Sequence, residues 1–209
     1  MVLKTYKREY DYSYSLGVFP TIELLESRPN IVTKVILHTE GKLNTGVGKI
    51  INLCEYHKIV FETNDKLIER LSNKENCYAI GVFSKTVTGL SPEKNHIVLV
   101  NPGDMGNLGT IIRTSLGFDF TDIAIIKPGV DAFNPKVIRG SMGSFFKVNI
   151  EYFDSFIDYQ KRFSHDIYTF RLNGKTALNQ VKLNKDLAYS LVFGNESSGL
   201  GKEYDDIGT

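Results

Sequence analysis

The spacing of apolar residues in the first 90 positions predicts short strands alternating with amphipathic helices. One helical face is predicted by apolar residues at i, i+3, i+4 and i+7, namely Val47, Ile50, Ile51 and Cys54. The runs VTKVILHT, KIVFE and CYAIGVF are rich in β-branched and apolar residues and predict strands. Two more short helices are predicted, at IELLES and after a cap at Asn64 or Asp65. Residues 1–90 are therefore expected to form a small αβα domain.

The segment TVTGLSPEKNH has no apolar period and is typical of a domain boundary. After it, predicted strands and helices alternate more regularly. IVLV predicts a buried strand, NLGTIIRTSLGF a helix and DIAII a second strand. Such a strand-helix-strand unit indicates a parallel sheet that gathers ligands at the carboxyl ends of its strands. The pattern continues with a helix from Pro135 to Met142, a strand at FFKVNI, a helix at FIDYQKRF and strands at IYTFRL and SLVFG. Residues 91–209 are therefore expected to form a second α/β domain.

The composition is that of a folded protein without a strong charge. Hydrophobic residues make up 42% and charged residues 23% of the 209 positions, which argues against a disordered or fibrous chain. The formal net charge is only +1, so an RNA-binding function has to rest on motifs and not on a basic field. Cys54 and Cys77 lack CxxC spacing and the four histidines lie far apart, so no metal site is predicted.

The beginning of the chain, MVLKTYKREYDYSYS, is polar, and no apolar stretch is long enough to cross a bilayer. We therefore expect a cytoplasmic protein that has no membrane partner. The tyrosines of this segment could stack on bases, but their spacing is more typical of one face of an extended, packed arm. We favour packing for all four: Tyr6, Tyr10, Tyr12 and Tyr14.

The first candidate loop, NPGDMGNLGTIIR, follows the strand IVLV and runs from Asn101 to Arg113. Its three glycines would let the backbone approach a ligand closely. Asn107 occupies a position expected for a helix N-cap, and Arg113 lies six residues further along that helix. A dinucleotide loop is excluded, because the glycines do not follow GxGxxG and no acidic residue ends the strand DIAII.

The second candidate loop, FGNESSGLG, follows the strand SLVFG and runs from Phe193 to Gly201. It has neither the Lys-Ser/Thr pair of a phosphate-binding P-loop nor the GxSxG pattern of a nucleophilic serine. Its carboxylate, Glu196, lies between glycines at the end of a buried strand. Either loop alone could be a tight strand-to-helix connection, but two such loops together favour a binding or catalytic site.

Three motifs, in order, resemble the SpoU (TrmH-like) branch of the SPOUT RNA methyltransferases. The first is Asn-x-Gly followed by Arg, present as Asn107, Gly109 and Arg113. The second is the segment FNPKVIRGSMGSFF, from Phe133 to Phe146. The third is Gly-Asn-Glu followed by Ser-Gly-Leu, present as Gly194, Asn195, Glu196, Ser198, Gly199 and Leu200. The resemblance covers residues 97 to 201.

This resemblance implies methyl transfer from S-adenosylmethionine to the 2′-hydroxyl of a ribose in RNA. It nominates Asn107, Arg113 and Glu196 as catalytic residues. It also implies a cofactor pocket formed by Gly194, Asn195, Gly199 and Leu200, with Thr169 as a further candidate, and a contact between RNA phosphate and Arg139, which could equally cap a helix.

The chemistry of Arg113 narrows its expected role. A guanidinium stays protonated in nearly all settings, so stabilising an emerging 2′-alkoxide or clamping a phosphate is favoured over general-base action. The alternative is an arginine that only ties a helix to a carboxylate. We expect Arg113 to face Glu196, which could orient it through a charge-assisted pair, bind the target nucleotide or act as a base.

The segment SLGVFPTIELLESRPNIVTKVILH resembles the opening of the L30e-like substrate-binding domain of family members. This likeness implies docking of structured RNA, with ribosomal RNA preferred over transfer RNA, and the family implies a homodimer. Family members carry one further motif after the Gly-Asn-Glu motif, which completes the cofactor pocket and a trefoil knot, whereas this sequence ends at EYDDIGT. We expect a truncated or partly ordered piece with an incomplete knot. The alternative is a non-catalytic RNA-binding relative that has lost the motif.

Overall fold

The computed structural model describes residues 3–72, 76–172, 174, 176–182 and 187–208. The chain folds into two compact units. The first contains the chain up to Thr86 together with Met105–Arg113 and Asp131–Lys147, and the second contains Val87–Asp104, Thr114–Val130 and the chain from Val148 onward. The division into domains 1–90 and 91–209 stays a prediction. Within the described ranges, no helix has both the length and the apolar composition that crossing a bilayer requires.

The first unit is built on a four-stranded mixed sheet. Its strands are β1 (Tyr12–Leu16), β2 (Val32–Leu37), β3 (Phe61–Thr63) and β4 (Ala79–Ser84). In the order β1-β4-β2-β3, β4 runs antiparallel to β1 and β2, and β3 runs parallel to β2. The strands predicted at VTKVILHT and CYAIGVF are confirmed, whereas KIVFE contributes only the three residues of β3.

Helices cover both faces of this sheet: α1 (Val18–Ser27), α2 (Thr45–His57) and α3 (Asp65–Leu71). Because side chains alternate along a strand, Val35 and Leu37 of β2 pack with α1 and α2, while Ile36 packs with α3. Helices therefore lie on both faces of this sheet, and the L30e-like assignment of this part of the chain stays a prediction. The cap of α3 is Asn64, whose side-chain oxygen accepts the Leu67 backbone N–H at 3.1 Å.

Strand β1 is not predicted by the apolar pattern, because its residues YSYSL bury hydroxyl-bearing side chains. Tyr12 and Tyr14 are buried, which confirms the packing interpretation for these two tyrosines. The Tyr14 hydroxyl donates to the Lys4 carbonyl at 2.6 Å, and burial raises the pKa of this phenol. The polar tips thus find partners while the rings fill the core.

Two helices from the second half of the chain, α4 (Met105–Gly117) and α5 (Pro135–Gly140), meet at a glycine. A Cβ added to Gly109 would lie 2.8 Å from the Val137 carbonyl oxygen and 2.9 Å from the Gly140 carbonyl carbon. Gly109 therefore allows contact between helix backbones, and the expectation that it makes room for a ligand is wrong.

The boundaries of these helices correct two further predictions. Helix α4 begins at Met105, so Asn107 lies in its first turn and the predicted N-cap position is wrong. Helix α5 ends at Gly140, short of the predicted Met142, because Met142 has a left-handed φ of 51°. The N-cap of α5 is Asn134, whose side-chain oxygen accepts the Lys136 N–H at 2.9 Å.

The second unit is built on a sheet of five parallel strands, which confirms the predicted fold class. They are β5 (His96–Val100), β6 (Asp122–Ile126), β7 (Asn149–Phe153), β8 (Asp166–Phe170) and β9 (Tyr189–Phe193). The predicted strand FFKVNI is displaced, because Ser144–Lys147 form a short 3₁₀ helix and β7 begins only at Asn149. The helix predicted at FIDYQKRF is confirmed as α6 (Phe156–Arg162).

The strand order β7-β6-β5-β9-β8 reverses direction between β5 and β9. From β5 the chain proceeds outward through β6 to β7, whereas β9 is reached from β8 on the far side. The strand order therefore switches sides between β5 and β9, and the carboxyl ends of strands at such a switch point are where open parallel sheets bind ligands. The candidate loops predicted from sequence follow these two strands.

The opposite, amino end of this sheet buries a histidine. His96, the first residue of β5, has no exposed surface and lies edge-on to the Phe163 ring at 4.7 Å between centroids. Burial lowers the pKa of His96 from its ordinary value of 6.5 to about 4. The native protein therefore keeps this imidazole neutral over a pH range in which the unfolded chain protonates it.

We predict that Gly109→Ala destabilises the first unit by about 1–3 kcal/mol, because the added methyl group meets backbone atoms that cannot move aside cheaply. Urea unfolding provides the measurement. Gly48→Ala is the matched control: it also replaces a helical glycine, but its Cβ would meet nothing within 4 Å. The control should gain about 0.5–1 kcal/mol. Equal effects of both substitutions would contradict the close helix contact.

We predict that stability falls as the pH is lowered from 6.5 to about 4, because only the unfolded state then protonates His96. The loss reaches about 3 kcal/mol at the lower end. Urea midpoints measured at several pH values should show this slope, and His96→Gln should flatten it. His57→Gln, at the end of α2, should leave it unchanged. A slope that persists in His96→Gln would assign it to other groups.

Candidate functional site

The two candidate loops begin side by side at the carboxyl edge of the parallel sheet. Strands β5 and β9 are hydrogen-bonded neighbours in parallel register, with Leu99 opposite Phe193. The backbone therefore leaves β5 at Asn101 and β9 at Gly194 from adjacent positions. We use the name carboxyl-edge site for three segments that meet there: residues 101–103, 129–130 and 194–200.

Side chains of the second loop bind the backbone of the first. The Glu196 carboxylate oxygen Oε2 accepts the Gly103 backbone N–H at 3.1 Å. The Asn195 amide nitrogen Nδ2 donates to the Asn101 carbonyl at 2.8 Å and to Glu196 Oε2 at 3.2 Å. Two bonds from adjacent residues therefore fix the spacing between the loops after β5 and β9.

Asn195 also shapes the turn in which it lies. Its side-chain oxygen Oδ1 accepts the backbone N–H groups of Ser197 at 3.0 Å and Ser198 at 3.2 Å, and their hydroxyl groups at 2.8 Å and 3.3 Å. Its backbone pairs with Gly199 through two hydrogen bonds of 2.9 Å and 3.1 Å. Asn195 thus uses both ends of its amide and its backbone to hold this turn and the neighbouring loop.

The glycines of the turn have separate reasons to be glycine. A Cβ on Gly194 would lie 2.2 Å from the Gly199 carbonyl carbon, so the strands of the turn approach too closely for a side chain. Gly199 has a left-handed φ of +67°, and the space beside its Cα is open. The turn is therefore closed by Gly194 and presents bare backbone at Gly199.

The third segment of the site, which was not predicted from the sequence, is the loop after β6. The Val130 N–H donates to the Pro102 carbonyl at 3.0 Å, and the Tyr152 hydroxyl donates to the Val130 carbonyl at 2.7 Å. A Cβ on Gly129 would lie 2.8 Å from the Ile125 side chain. The available signal was the dipeptide Pro128-Gly129 directly after a buried strand, a turn pattern in the position where parallel sheets place ligand loops.

Thr169 lies in β8, one strand further from β5, opposite Val192 of β9. Its hydroxyl donates to the Ile207 carbonyl at 3.4 Å, so it contacts the segment that follows the second loop. Arg171 holds the same segment by donating to the Tyr204 carbonyl at 2.5 Å and by an ion pair with Asp205. The predicted cofactor contact of Thr169 stays a prediction.

The structure brings together five of the predicted residues and assigns three others to the first unit. Gly194, Asn195, Glu196, Gly199 and Leu200 share one turn of the second unit. Asn107, Arg113 and Arg139 are exposed residues of α4 and α5 in the first unit. Glu196 accepts hydrogen bonds from Gly103 and Asn195, which both lie in its own unit. The predicted pairing of Arg113 with Glu196, and the catalytic roles of both, stay predictions.

Solved structures share this fold at low sequence identity. An AdoMet-bound rRNA methyltransferase from Sinorhizobium meliloti superposes with a TM-score of 0.78 at 22% identity, over 95% of this chain and 76% of that one. The SpoU methyltransferase AviRb from Streptomyces viridochromogenes, in complex with AdoMet, gives a TM-score of 0.77 at 16% identity, over 95% and 78%. These similarities show the fold.

Curated relatives match parts of the sequence. The Xenopus laevis protein named rRNA methyltransferase 3, mitochondrial is 41% identical over 108 residues, which cover 41% of this chain and 26% of the relative. The Bacillus subtilis protein named 23S rRNA (guanosine(2553)-2'-O)-methyltransferase RlmP is 28% identical over 99 residues, 46% of this chain and 39% of the relative. The chain thus spans well under half the length of both relatives.

The profile of the family described as SpoU rRNA Methylase matches residues 94–207. This range contains all three sequence motifs, the five parallel strands and the carboxyl-edge site. It covers more than half of the 209 residues. The chain therefore belongs to the SpoU rRNA Methylase family.

Proposed function

We propose that this protein transfers a methyl group from S-adenosylmethionine to the 2′-hydroxyl of a ribose in structured RNA. The observation that carries the proposal is the hydrogen-bonded junction of two loops, Glu196 to Gly103 and Asn195 to Asn101, at the point where the sheet order reverses. Family membership supports it, as do the names of the matched relatives.

The residues at the carboxyl-edge site fit S-adenosylmethionine. The donor presents a flat adenine, a ribose and an amino-acid tail, which require close backbone approach and polar main-chain groups. Gly199 offers bare backbone next to open space, and the half-buried Leu200 packs on the apolar core of the unit. We assign the donor to Gly194, Asn195, Gly199 and Leu200, with the loops at Gly103 and Gly129 beside them. Thr169 remains a candidate at the neighbouring strand.

When bound, S-adenosylmethionine supplies a methyl group that its sulfonium makes electrophilic. The remaining task of the protein is to align the ribose hydroxyl and stabilise the charge that develops on its oxygen. We assign this stabilisation to Arg113, whose exposed guanidinium stays protonated and carries several donors. Asn107, six residues earlier on the same helix, would help to orient the nucleotide.

We assign Glu196 a positioning role. Its carboxylate oxygen Oε2 accepts the Gly103 N–H of the first loop and the Asn195 amide N–H of its own loop. These bonds hold the two loops in register, and this contact supports the positioning role.

Ribosomal RNA is the favoured substrate class. The S. meliloti neighbour, titled an rRNA methyltransferase, matches 95% of this chain including its first unit. A structure titled for 2-OH methylation of C/U34 on tRNA matches only 56% of the chain, with a TM-score of 0.50. We propose that the αβα layers of the first unit dock RNA, that exposed Arg139 contacts phosphate, and that the protein acts as a cytoplasmic homodimer without a metal.

We predict that Arg113→Ala lowers kcat for methyl transfer by about 10²–10³-fold, the usual cost of losing one donor to a developing oxyanion. Donor affinity, measured by calorimetry, should stay within about twofold, because Arg113 acts on the acceptor. Arg113→Lys should restore only part of the rate, since a lysine lacks the planar set of donors. Lys161→Ala, at an exposed position of α6, is the surface control.

Tritium transfer to ribosomal and transfer RNA with the full-length protein separates the outcomes. An Arg113→Ala variant with an unchanged rate would remove Arg113 from the chemistry. A wild-type protein that binds RNA but no donor would overturn the enzyme proposal and favour a non-catalytic RNA-binding relative. Faster transfer to transfer RNA would leave the chemistry intact and contradict the substrate class.

We predict that Asn195→Asp weakens donor binding by at least about tenfold, equivalent to about 1.4 kcal/mol. The substitution removes both amide donors and places a second carboxylate beside Glu196 and the Asn101 carbonyl. Ser197→Ala is the control, because the Ser197 backbone N–H still donates to Asn195. Calorimetric titration with S-adenosylmethionine gives both affinities. Equal affinity of Asn195→Asp and wild type would show that the loop junction does not form the pocket.

A further inference from the structure

A continuous chain of five hydrogen bonds crosses the amino end of the parallel sheet, at the opposite edge from the carboxyl-edge site. It begins at the Ser91 carbonyl, 2.9 Å from His96 Nε2, and His96 Nδ1 lies 2.8 Å from the Tyr159 hydroxyl. The Tyr159 hydroxyl lies 2.6 Å from the Ser190 hydroxyl, which lies 2.9 Å from His165 Nδ1. His165 Nε2 ends the chain, 2.8 Å from the Pro92 carbonyl.

The number of hydrogens in this chain determines its charge. Both ends are backbone carbonyls, which only accept, so each of the five bonds needs one hydrogen from the four side chains between them. Neutral His96, Tyr159, Ser190 and His165 carry one such hydrogen each, which makes four. All five bonds can form only when one of the two imidazoles has gained a proton.

We propose that His96, Tyr159, Ser190 and His165 form a buried site that binds a single proton, shared between the two histidines. In one arrangement His165 is the imidazolium: it donates to Pro92 and Ser190, Ser190 donates to Tyr159, and Tyr159 donates to His96. In the other arrangement the three bonds between side chains reverse: His96 is the imidazolium and donates to Tyr159, Tyr159 donates to Ser190, and Ser190 donates to His165, which still donates to Pro92. Three hydrogens move between the arrangements, with no net gain or loss.

Burial places the charge at the His165 end. His96 is fully buried, and Tyr159, on which it depends for its second bond, is also fully buried. His165 is partly exposed, so water can solvate its charge. The pKa of His96 is lowered to about 4, mainly by burial and also by the charge of His165.

The charged groups around His96 do not reverse this preference. Buried Asp122 of β6 favours a protonated His96, but its carboxylate already accepts the Ser91 N–H at 2.9 Å and pairs with Lys94 at 3.7 Å. Arg162 of α6 disfavours a protonated His96, and its own charge is paired with Glu151 of β7. A second proton is also opposed by the close rings, since the centroids of His96 and His165 are 4.4 Å apart.

Proton binding therefore controls a backbone segment. With the proton bound, the carbonyls of Ser91 and Pro92, in the segment between β4 and β5, are both held by imidazoles. Without it, four hydrogens serve five bonds and one bond must break. The break should fall at Pro92, because its bond is at the exposed end and water can replace it there. The Pro92 end is thus a latch that closes when the proton binds.

Nitrogen-15 NMR of the imidazoles in the full chain, followed by pH titration, tests the proposal. At about pH 5 we expect the proton occupancies of His96 and His165 to sum to about one, with His96 as the neutral tautomer that carries its hydrogen on Nε2. A sum near two at this pH, or a neutral His96 that carries its hydrogen on Nδ1, would overturn the one-proton site.

Ser190→Ala removes the central link of the chain. In the deprotonated wild-type chain we expect His165 to carry its hydrogen on Nδ1, where it is donated to Ser190. In Ser190→Ala the hydrogen should lie on Nε2 and be donated to Pro92, whereas Ser84→Ala in β4 should keep the wild-type tautomer. The same His165 tautomer in wild type and in Ser190→Ala would also overturn the proposal. If Ser190→Ala does not fold, the wild-type titration still decides the question.

Discussion

The second unit depends on one constraint, the pairing of β5 with β9. These strands are parallel neighbours in space although about 90 residues separate them in sequence, and the order in which the chain adds strands switches sides between them. Their carboxyl ends deliver two loops to the same place, and the side chains of Asn195 and Glu196 join the loops to each other.

The glycines of the motifs have different structural roles. Gly109, Gly194 and Gly199 all belong to family motifs, but each has to be glycine for a different reason. Gly109 lets two helix backbones touch, Gly194 lets a turn close, and only Gly199 has open space beside it and a left-handed φ of +67°. A substitution at each would therefore fail for a different physical reason, and only at Gly199 would it act through the exposed face of the pocket.

Much of the fold is predictable from sequence because buried strands and amphipathic helices have strong local periods. The strand DIAII and the helix FIDYQKRF are found where the pattern predicts them. Strand β1 is not predicted, because it buries tyrosine and serine side chains whose partners are distant in sequence. The register of FFKVNI is also missed, since alternation does not reveal the short 3₁₀ helix that precedes β7.

Part of the candidate site is also predictable, because it has a local sequence pattern. The turn from Gly194 to Leu200 carries its own local signal, and its residues come together as the motif predicts. The contribution of Gly129 and Val130 depends on strand order, which no local pattern contains. The one-proton site at the amino edge likewise has no local sequence signal. It depends on hydrogen bonds among His96, Tyr159, Ser190 and His165, which lie in separate strands, helices or loops.

We propose above that the carboxyl-edge site binds the methyl donor. Amide chemical-shift mapping during titration with S-adenosylmethionine locates the ligand without depending on catalysis. We expect the largest shifts to cluster at residues 101–103, 129–130 and 194–200, with little change at His96 on the opposite edge. Shifts concentrated elsewhere, or a donor that perturbs no amide at these three segments, would contradict it.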